Sequence, residues 1–402
     1  MVQQGRGVIM AGHEAVIVAG VRTPIGTMNG ALAAVPAAQL GATVIKAVLE
    51  RAGVPADRVD EVIMGNVVQA GQGQNPARQA TIYAGLPDRV SAMTVNKVCG
   101  SGLMAVKLAD QAVRLGEAGV VVAGGMENMT RAPYYLTKAR EGYRMGNGEL
   151  VDGMIYDGLW DVYGNKHMGT YGDQCAAKFG FTKQQQDDFA VRSHTNARKA
   201  IETGVFAQEV VPVEITVKGK TTRVETDEGP SRFDEAKLRS LKPAFGAEGT
   251  ITAGNASSIN DGAAALVVAS RAKCEELGLK PQVRIVGSAC HSQEPQWFTT
   301  APVGALKKLL ELVGWRPDEV DLYEINEAFA AVAMAAEHEL KLPAEKVNIY
   351  GGAGALGHPI GCSGARVLVT LLNGLRQTGG KRGVAALCIG GGEAIAMAVE
   401  SL

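Results

Sequence analysis

The chain repeats itself, and that repeat constrains the fold more than any other feature. "AGVPADRVDEVIMGN" (residues 52–66) has a counterpart in "VGWRPDEVDLYEIN" (residues 313–326). Both read as a helix end, a glycine-containing loop, a D-x-V-D turn and a strand. Further on, "GVVVAGGME" (residues 119–127) is answered by "LCIGGGE" (residues 387–393), each an apolar strand ending in glycines. Between those marks each half has a glycine-rich turn feeding a helix, "CGSGLMAVKLADQAVRLGEAG" and "CSGARVLVTLLNGLRQTGG". The same units in the same order predict a duplicated α/β domain, and 402 residues are too many for one ordinary core.

A stretch of different character separates the halves. Residues 183–204 read as a polar helix, and "VVPVEITVKGKTTRVETDEGPSR" alternates like an exposed strand pair. An insertion of that length is expected to be functional, lying over the site. The expected organisation is a first part of the N-terminal half over 1–127 and an inserted loop domain over 128–259. A return to that half over 260–280 and a C-terminal half over 281–402 complete it. Residues 1–13 read as a loose tail and a poor secretory signal, because His13 and Glu14 interrupt the apolar stretch.

The 51 glycines suit many tight strand-to-helix turns and close approach of backbone to a ligand. A net charge of −1 gives no basic field to draw the chain to nucleic acid or anionic lipid. No apolar run approaches a membrane span. The six cysteines show no C-x-x-C spacing, so neither a zinc site nor a disulfide framework is expected, and a reduced, cytoplasmic setting fits.

Chemistry is signalled at a few points. Cys99 precedes G-S-G and a helix-forming run, where free N–H groups are expected to lower a thiol's pKa and favour the nucleophilic thiolate. The alternative is a small buried packing residue. His358, between Gly357 and Pro359, is held on a rigid turn suited to a base or an oxyanion donor. Cys388 ends an apolar strand just before three glycines, which makes it a second reactive thiol candidate. "NEAF" (residues 326–329) directly follows a strand, where α/β enzymes place reactive groups. Gly352, Gly354 and Gly357 spell the dinucleotide fingerprint G-x-G-x-x-G, but no acid stands between Glu345 and Glu393 to bind a ribose hydroxyl, so a nicotinamide site is not expected.

Taken together, "NKVCGSG", "GGMENM", "HMG", "TAGNASSINDGAA", "NEAFA", "GHPIG" and "CIGGG" resemble the thiolases, in order and spacing, from about Glu14 to the end. The resemblance implies a duplicated five-layered α/β/α/β/α fold with an inserted loop domain, and acyl exchange between a cysteine and coenzyme A. It implies Cys99 as nucleophile, His358 as its activator and Cys388 as acid/base at the α-carbon. Asn326 would hold a water of one oxyanion hole beside His358, and the N–H groups of Cys99 and Gly390 would form the other. His167, Met168, Phe245, Ala253, Ser257 and Phe329 match positions lining the pantetheine channel. Arg232 and Lys237 are candidates for the nucleotide phosphates, against the plainer reading of a solvated charged face. For Ser257 the plainer reading is a turn or cap residue, and for Phe245 simple core.

Coenzyme A thioesters are then substrates, with no metal or bound cofactor, and a homodimer or homotetramer is implied. The expected reaction is condensation of two acetyl-CoA to acetoacetyl-CoA, or the reverse thiolysis, through a Cys99 thioester. Longer 3-ketoacyl-CoA substrates are the nearest alternative. A non-catalytic acyl-CoA carrier is a rival of another class, as is a decarboxylating condensing enzyme on a related fold. Departures from the family pattern bear on chain length. Tyr350 replaces a usual Asn, Glu393 stands where many relatives have Met, and residues 294–305 differ, with Trp297 and Phe298 able to narrow the acyl pocket.

Overall fold

The computed structural model describes residues 14–402, so the tail expected over residues 1–13 lies outside the described residues. The N-terminal elements run β1 (Ala15–Arg22), α1 (Ala37–Ala52), β2 (Glu61–Gly65), α2 (Pro76–Tyr83), β3 (Ser91–Val95), α3 (Ser101–Leu115) and β4 (Val120–Asn128). Then come α4 (Met168–Phe179), α5 (Lys183–Glu202) and a hairpin of β5 (Val213–Val217) and β6 (Lys220–Val224). The chain returns to the first sheet with β7 (Asn260–Ser270). The second copy comprises β8 (Val283–Ser292), α6 (Ala301–Val313), β9 (Leu322–Ile325), α7 (Ala330–Leu340), α8 (Ile360–Thr378), β10 (Arg382–Ile389) and β11 (Glu393–Ser401).

Strand order exposes the duplication. In the first half β1 and β7 are antiparallel, β7 and β4 antiparallel, and β4 and β2 parallel, with β3 at the edge. In the second half β8, β11, β10 and β9 repeat that antiparallel, antiparallel, parallel sequence. The two sheets are stitched edge to edge where Val16 pairs with Arg284 and Ile17 with Val283.

Five layers follow from where apolar side chains are buried. Leu40, Val44 and Val48 of α1, with Ala77 and Ala80 of α2, cover the outer face of the first sheet. Leu306 and Leu309 of α6, with Ala333 and Ala336 of α7, cover the outer face of the second. Between the sheets lie Leu103 and Val106 of α3 against Val367 and Leu368 of α8. All nine residues of β4 are buried, which is why that strand reads as a continuous apolar run rather than an alternating one. The central helices touch through glycine: a Cβ on Gly364 would stand 2.3 Å from the Leu103 nitrogen. Any side chain there would separate α3 from α8.

The segment after β4 is tied down by buried charge. Arg22, at the end of β1, donates to Glu209 at 2.6 Å and to both oxygens of Asp227 at 2.7 and 2.9 Å, with all three side chains shielded from water. Removing Arg22 would leave two carboxylates uncompensated in the interior, a cost of about 3–5 kcal/mol. Polar α5 starts at a capping box between Thr182 and Gln185, as its sequence suggests. Among the described residues no helix is long and apolar enough to cross a membrane.

Candidate active site

The N-termini of α3 and α8 and the carboxyl end of β10 carry loops to one cavity of about 500 Å³. Cys99, His358 and Gly390 all line it. Cys99 sits on a tight turn between β3 and α3. Asn96 Oδ1 accepts from the Val98 N–H at 3.0 Å, while Ser101 Oγ accepts from the Lys97 N–H at 2.8 Å and donates to the Val98 carbonyl at 2.6 Å. The N–H groups of Gly390 and of Cys99 itself are directed at the Cys99 sulfur.

Here the structure corrects the sequence expectation. Cys99 is only half-buried as a residue, but its sulfur is desolvated, and burial pushes the thiol up to about 11. The two N–H groups pull the other way and are outweighed, with the Glu127 carboxylate adding to the rise. Position beside a helix N-terminus does not make this thiol a resting thiolate, so it needs a base.

His358 is placed to be one. Its N–H donates to Asn260 Oδ1 at 3.0 Å, and its ring Nδ1 lies 2.6 Å from Ser363 Oγ. Ser363 Oγ donates its own proton to the Pro359 carbonyl at 2.9 Å, one helical turn back. The serine oxygen must therefore accept from Nδ1–H, which leaves the lone pair on Nε2. Nε2 is buried and has no protein partner among the described residues. Burial, and next the Arg366 charge, push this imidazole down to about 3, so it stays neutral at ordinary pH.

Replacing Ser363 with Ala removes the group that selects the tautomer. About a 10-fold fall in kcat is expected with KM nearly unchanged, less than the ~10²–10⁴-fold for loss of the base itself, because the imidazole stays in place and loses only its orienting partner. Steady-state kinetics of Ser363→Ala would check this, and an unchanged kcat would show that another contact fixes the ring.

Asn326 and Cys388 stand behind the cavity wall, both fully buried. Neither the oxygen nor the nitrogen of the Asn326 amide has a partner among the described residues. A buried amide left with all its capacity open is costly and calls for a polar guest. The Cys388 thiol is held well above its ordinary range, first by burial and then by the neighbouring Cys99 sulfur.

His167, Met168, Phe245, Ala253, Ser257 and Phe329 all line the same cavity. His167 caps α4, accepting from the Gly169 N–H at 3.1 Å, and its ring stacks on Phe245 at 4.7 Å. Phe329 meets Phe245 edge-on at 6.4 Å, as it does Phe298. Ser257 donates to the Ala328 carbonyl at 2.9 Å, so its hydroxyl has a structural partner. Phe298 lines the cavity, whereas Trp297 lies beneath the Lys178 ammonium at 4.5 Å, outside the lining.

Arg232 and Lys237 do not reach the wall. Arg232 donates to Thr27 Oγ1 at 2.8 Å and to Glu228 Oε1 at 2.9 Å, and Thr27 does line the cavity, which puts the guanidinium one residue away from it. Lys237 sits on a short exposed helix, its N–H donating to Asp234 Oδ1 at 3.0 Å.

Sequence reasoning missed Ser363 and the buried Glu127 carboxylate, and it marked Glu327, within "NEAF", as a reactive position where the structure gives it a bracing one. Glu327 accepts from Asn348 Nδ2 at 2.7 Å, Ser193 Oγ at 2.7 Å and the Gly354 N–H at 2.9 Å. A Cβ on Gly352 would stand 2.4 Å from its carboxyl carbon. Gly352 and Gly354 let this carboxylate lie against the loop that carries His358, and Gly357, at φ 105°, leaves no room for a Cβ beside Asn260, which explains the spacing without a dinucleotide. The other carboxylate, Glu127, accepts from the Val67 and Gly361 N–H groups, each at 2.9 Å.

The family description "Thiolase, N-terminal domain" fits residues 15–272, and "Thiolase, C-terminal domain" fits residues 279–401. The chain is 52% identical to an acetyl-CoA acetyltransferase of Cupriavidus necator over 389 residues, covering 96% of this chain and 99% of that one. It is 51% identical to acetyl-CoA acetyltransferase 2 of Arabidopsis thaliana over 393 residues, covering 97% and 98%. The crystal structure of the Bacillus anthracis acetyl-CoA acetyltransferase superposes with a TM-score of 0.95 at 43% identity, over 98% of this chain and 100% of that one.

Proposed function

This chain belongs to the thiolase family, and from that premise we propose that it is an acetyl-CoA acetyltransferase whose acyl carrier is Cys99. It condenses two acetyl-CoA to acetoacetyl-CoA and CoA, or runs the reverse thiolysis. The observation that carries the reading is the pairing, in one cavity, of a desolvated sulfur under two N–H groups with a buried imidazole whose Nε2 is free.

The proton account closes with these residues alone. His358 Nε2 takes the Cys99 proton as the sulfur attacks the thioester carbonyl, and the N–H groups of Cys99 and Gly390 hold the oxyanion. As the carbon–sulfur bond to coenzyme A breaks, the leaving sulfur takes the proton of Cys388. The site now holds an acetyl thioester, a Cys388 thiolate and a His358 imidazolium. A second acetyl-CoA gives its α-proton to Cys388, and the enolate oxygen rests against His358 Nε2–H and a water on Asn326. The α-carbon attacks the acetyl group, the product leaves, and Cys99 recovers its proton from His358. Burial suits Cys388 to this: a thiolate kept from water is a strong base.

His167, Met168, Phe245, Ala253, Ser257 and Phe329 would take the pantetheine arm along the apolar wall, with Arg232 nearest the phosphates and Lys237 further off. In this reading residues 128–259 form the cover, between a first half of 1–127 and 260–280 and a second of 281–402. A homodimer or homotetramer in the cytoplasm completes the proposal. In its support, edge strand β3 exposes Met93, and Tyr134, Leu136 and Met145 are bared on the cover.

Phe298 and Phe329 crowd the cavity with rings and favour the short acyl chain over longer 3-ketoacyl substrates. Thiolysis of acetoacetyl-CoA and of longer 3-ketoacyl-CoA homologues would test this, with kcat/KM expected to fall at least ~10-fold for each of the longer chains, as for other pockets too small for added methylenes. A maximum at a longer chain would overturn the short-chain assignment and leave the Cys99 chemistry standing.

A further inference from the structure

Two loops converge on the Cys99 sulfur, one from each half of the molecule. Residues 96–100 join β3 to α3, and residues 390–392 join β10 to β11. Both hold backbone in the left-handed region: Val98 has φ 45°, and Gly391 and Gly392 have φ 88° and 86°. Glycine adopts such angles freely, but a β-branched residue there costs on the order of 1–3 kcal/mol. Val98 precedes the nucleophile, so relaxation of its backbone would swing the Cys99 sulfur. The second loop is three successive glycines, without a side chain of its own to fix the Gly390 N–H. One external tie is the Gln293 N–H, which donates to the Gly392 carbonyl at 2.9 Å.

One ion pair spans the two loops. Lys97 Nζ contacts Glu393 Oε2, and Ser292 Oγ donates to Glu393 Oε1 at 3.3 Å. Lys97 adjoins strained Val98, and Glu393 is the first residue after the glycines. Both side chains are partly shielded, at 24% and 34% exposure, so the pair is less open to salt than a free surface bridge. Neither lines the cavity.

We propose that Lys97 and Glu393 are positioning residues, whose ion pair sets the spacing between the Cys99 and Gly390 N–H groups around the reacting carbonyl oxygen. The inference rests on the reading of Cys99 as acyl carrier. Magnitudes decide where the effect should be felt. A solvent-reached pair of this kind contributes about 0.2–1 kcal/mol to stability, too little for its loss to unfold the protein. Oxyanion donors are far less tolerant, since a displacement of about 1 Å can cost ~100-fold in rate. The pair's loss should therefore appear in kcat and not in folding.

The test compares the wild type with Lys97→Met, Glu393→Gln and the charge-swapped double variant Lys97→Glu/Glu393→Lys. Each single variant is expected to lower kcat about 10-fold, with KM within about twofold and Tm within a few degrees. The swap should bring kcat back to within about threefold of the wild type, because it restores the span with reversed charges. Single variants with wild-type kcat would overturn the proposal. So would a swap no better than the singles, or a loss of kcat that moves together with KM and Tm. Intact mass after acetyl-CoA treatment separates the two readings. Failure of the Cys99 reading appears as no acetyl adduct on the wild type, whereas each of the failures of this one leaves that adduct in place.

Discussion

Incubated with acetyl-CoA, quenched and weighed intact, the wild-type chain is expected to gain one acetyl group and the Cys99→Ala chain none. The variant should still bind acetyl-CoA, because the channel residues His167, Phe245, Ser257 and Phe329 are untouched. Turnover should fall at least ~10³-fold, the usual scale for removing a covalent nucleophile. The pH dependence of the covalent step carries a second signature. Burial holds the Cys99 thiol up at about 11 and His358 down at about 3, so thiol and neutral imidazole coexist between those limits. As pH falls through 6.5 the base is not yet protonated, and as it rises through 9 the thiol is not yet ionised. The acetylation rate should stay level across the neutral range. An acid limb near the ordinary histidine pKa would mean that His358 is hydrated and is not the buried base. An acetyl group on the Cys99→Ala chain would transfer the nucleophile's role to another residue, with Cys388 the first to examine. No adduct on the wild type, with acetyl-CoA bound, would favour a carrier.

Much of the fold and of this site is legible in the amino-acid sequence, and the parts that are not share a physical cause. Cys99 and His358 stand out because glycine and proline around them prescribe local backbone, and local backbone is written in local sequence. The state of the Cys99 thiol escapes such a reading because burial is not local: Cys99 packs against a cluster that includes Val67, Val68 and Ile360, far off in the chain. Arg232 reads as free in the sequence but is engaged by Thr27 and Glu228. Ser363 does carry a local signal, as a serine in the first turn of α8, one turn after Pro359, where back-bonding is expected.

The duplicated strands frame the rest of the site. Asp60 accepts from the Gly119 and Val120 N–H groups as Asp321 accepts from those of Lys381 and Arg382, which sets the pair Glu61–Val121 against the pair Leu322–Gly383. Counting forward from those pairs, Gly65 corresponds to Asn326 and Met126 to Cys388, and Asn66 and Glu127 of the first copy stand one position further on. In the first copy the positions are closed on each other, Asn66 Nδ2 donating to Glu127 at 2.7 Å, and Glu127 also accepts from the Gly361 N–H in the first turn of α8 at 2.9 Å. In the second copy the Asn326 amide is left without a partner among the described residues, and Cys388 supplies a thiol. One copy braces the helix that follows His358, and the other offers an open amide and a basic sulfur.

That division of labour predicts that Cys388→Ala separates the two half-reactions. The acetyl group should still arrive on Cys99, since His358 and the two N–H groups remain, and intact mass should show it. Acetoacetyl-CoA formation should fall about 10²–10⁴-fold, the range for loss of a general acid/base. Release of the first coenzyme A should slow as well, because its sulfur then departs without the Cys388 proton. Deuterium exchange at the methyl group of acetyl-CoA isolates the base step, and in Cys388→Ala it should be lost even with Cys99 acetylated. A serine at this position should recover little: its hydroxyl is a far weaker acid than a thiol, and the same burial that lifts the Cys388 thiol well above its ordinary range would oppose the alkoxide more strongly still. Full exchange in Cys388→Ala would place the base elsewhere, and His358 would then have to serve both half-reactions. Lost exchange with an intact acetyl adduct would assign the first proton transfer to His358 and the second to Cys388, each governed by the burial of its own side chain.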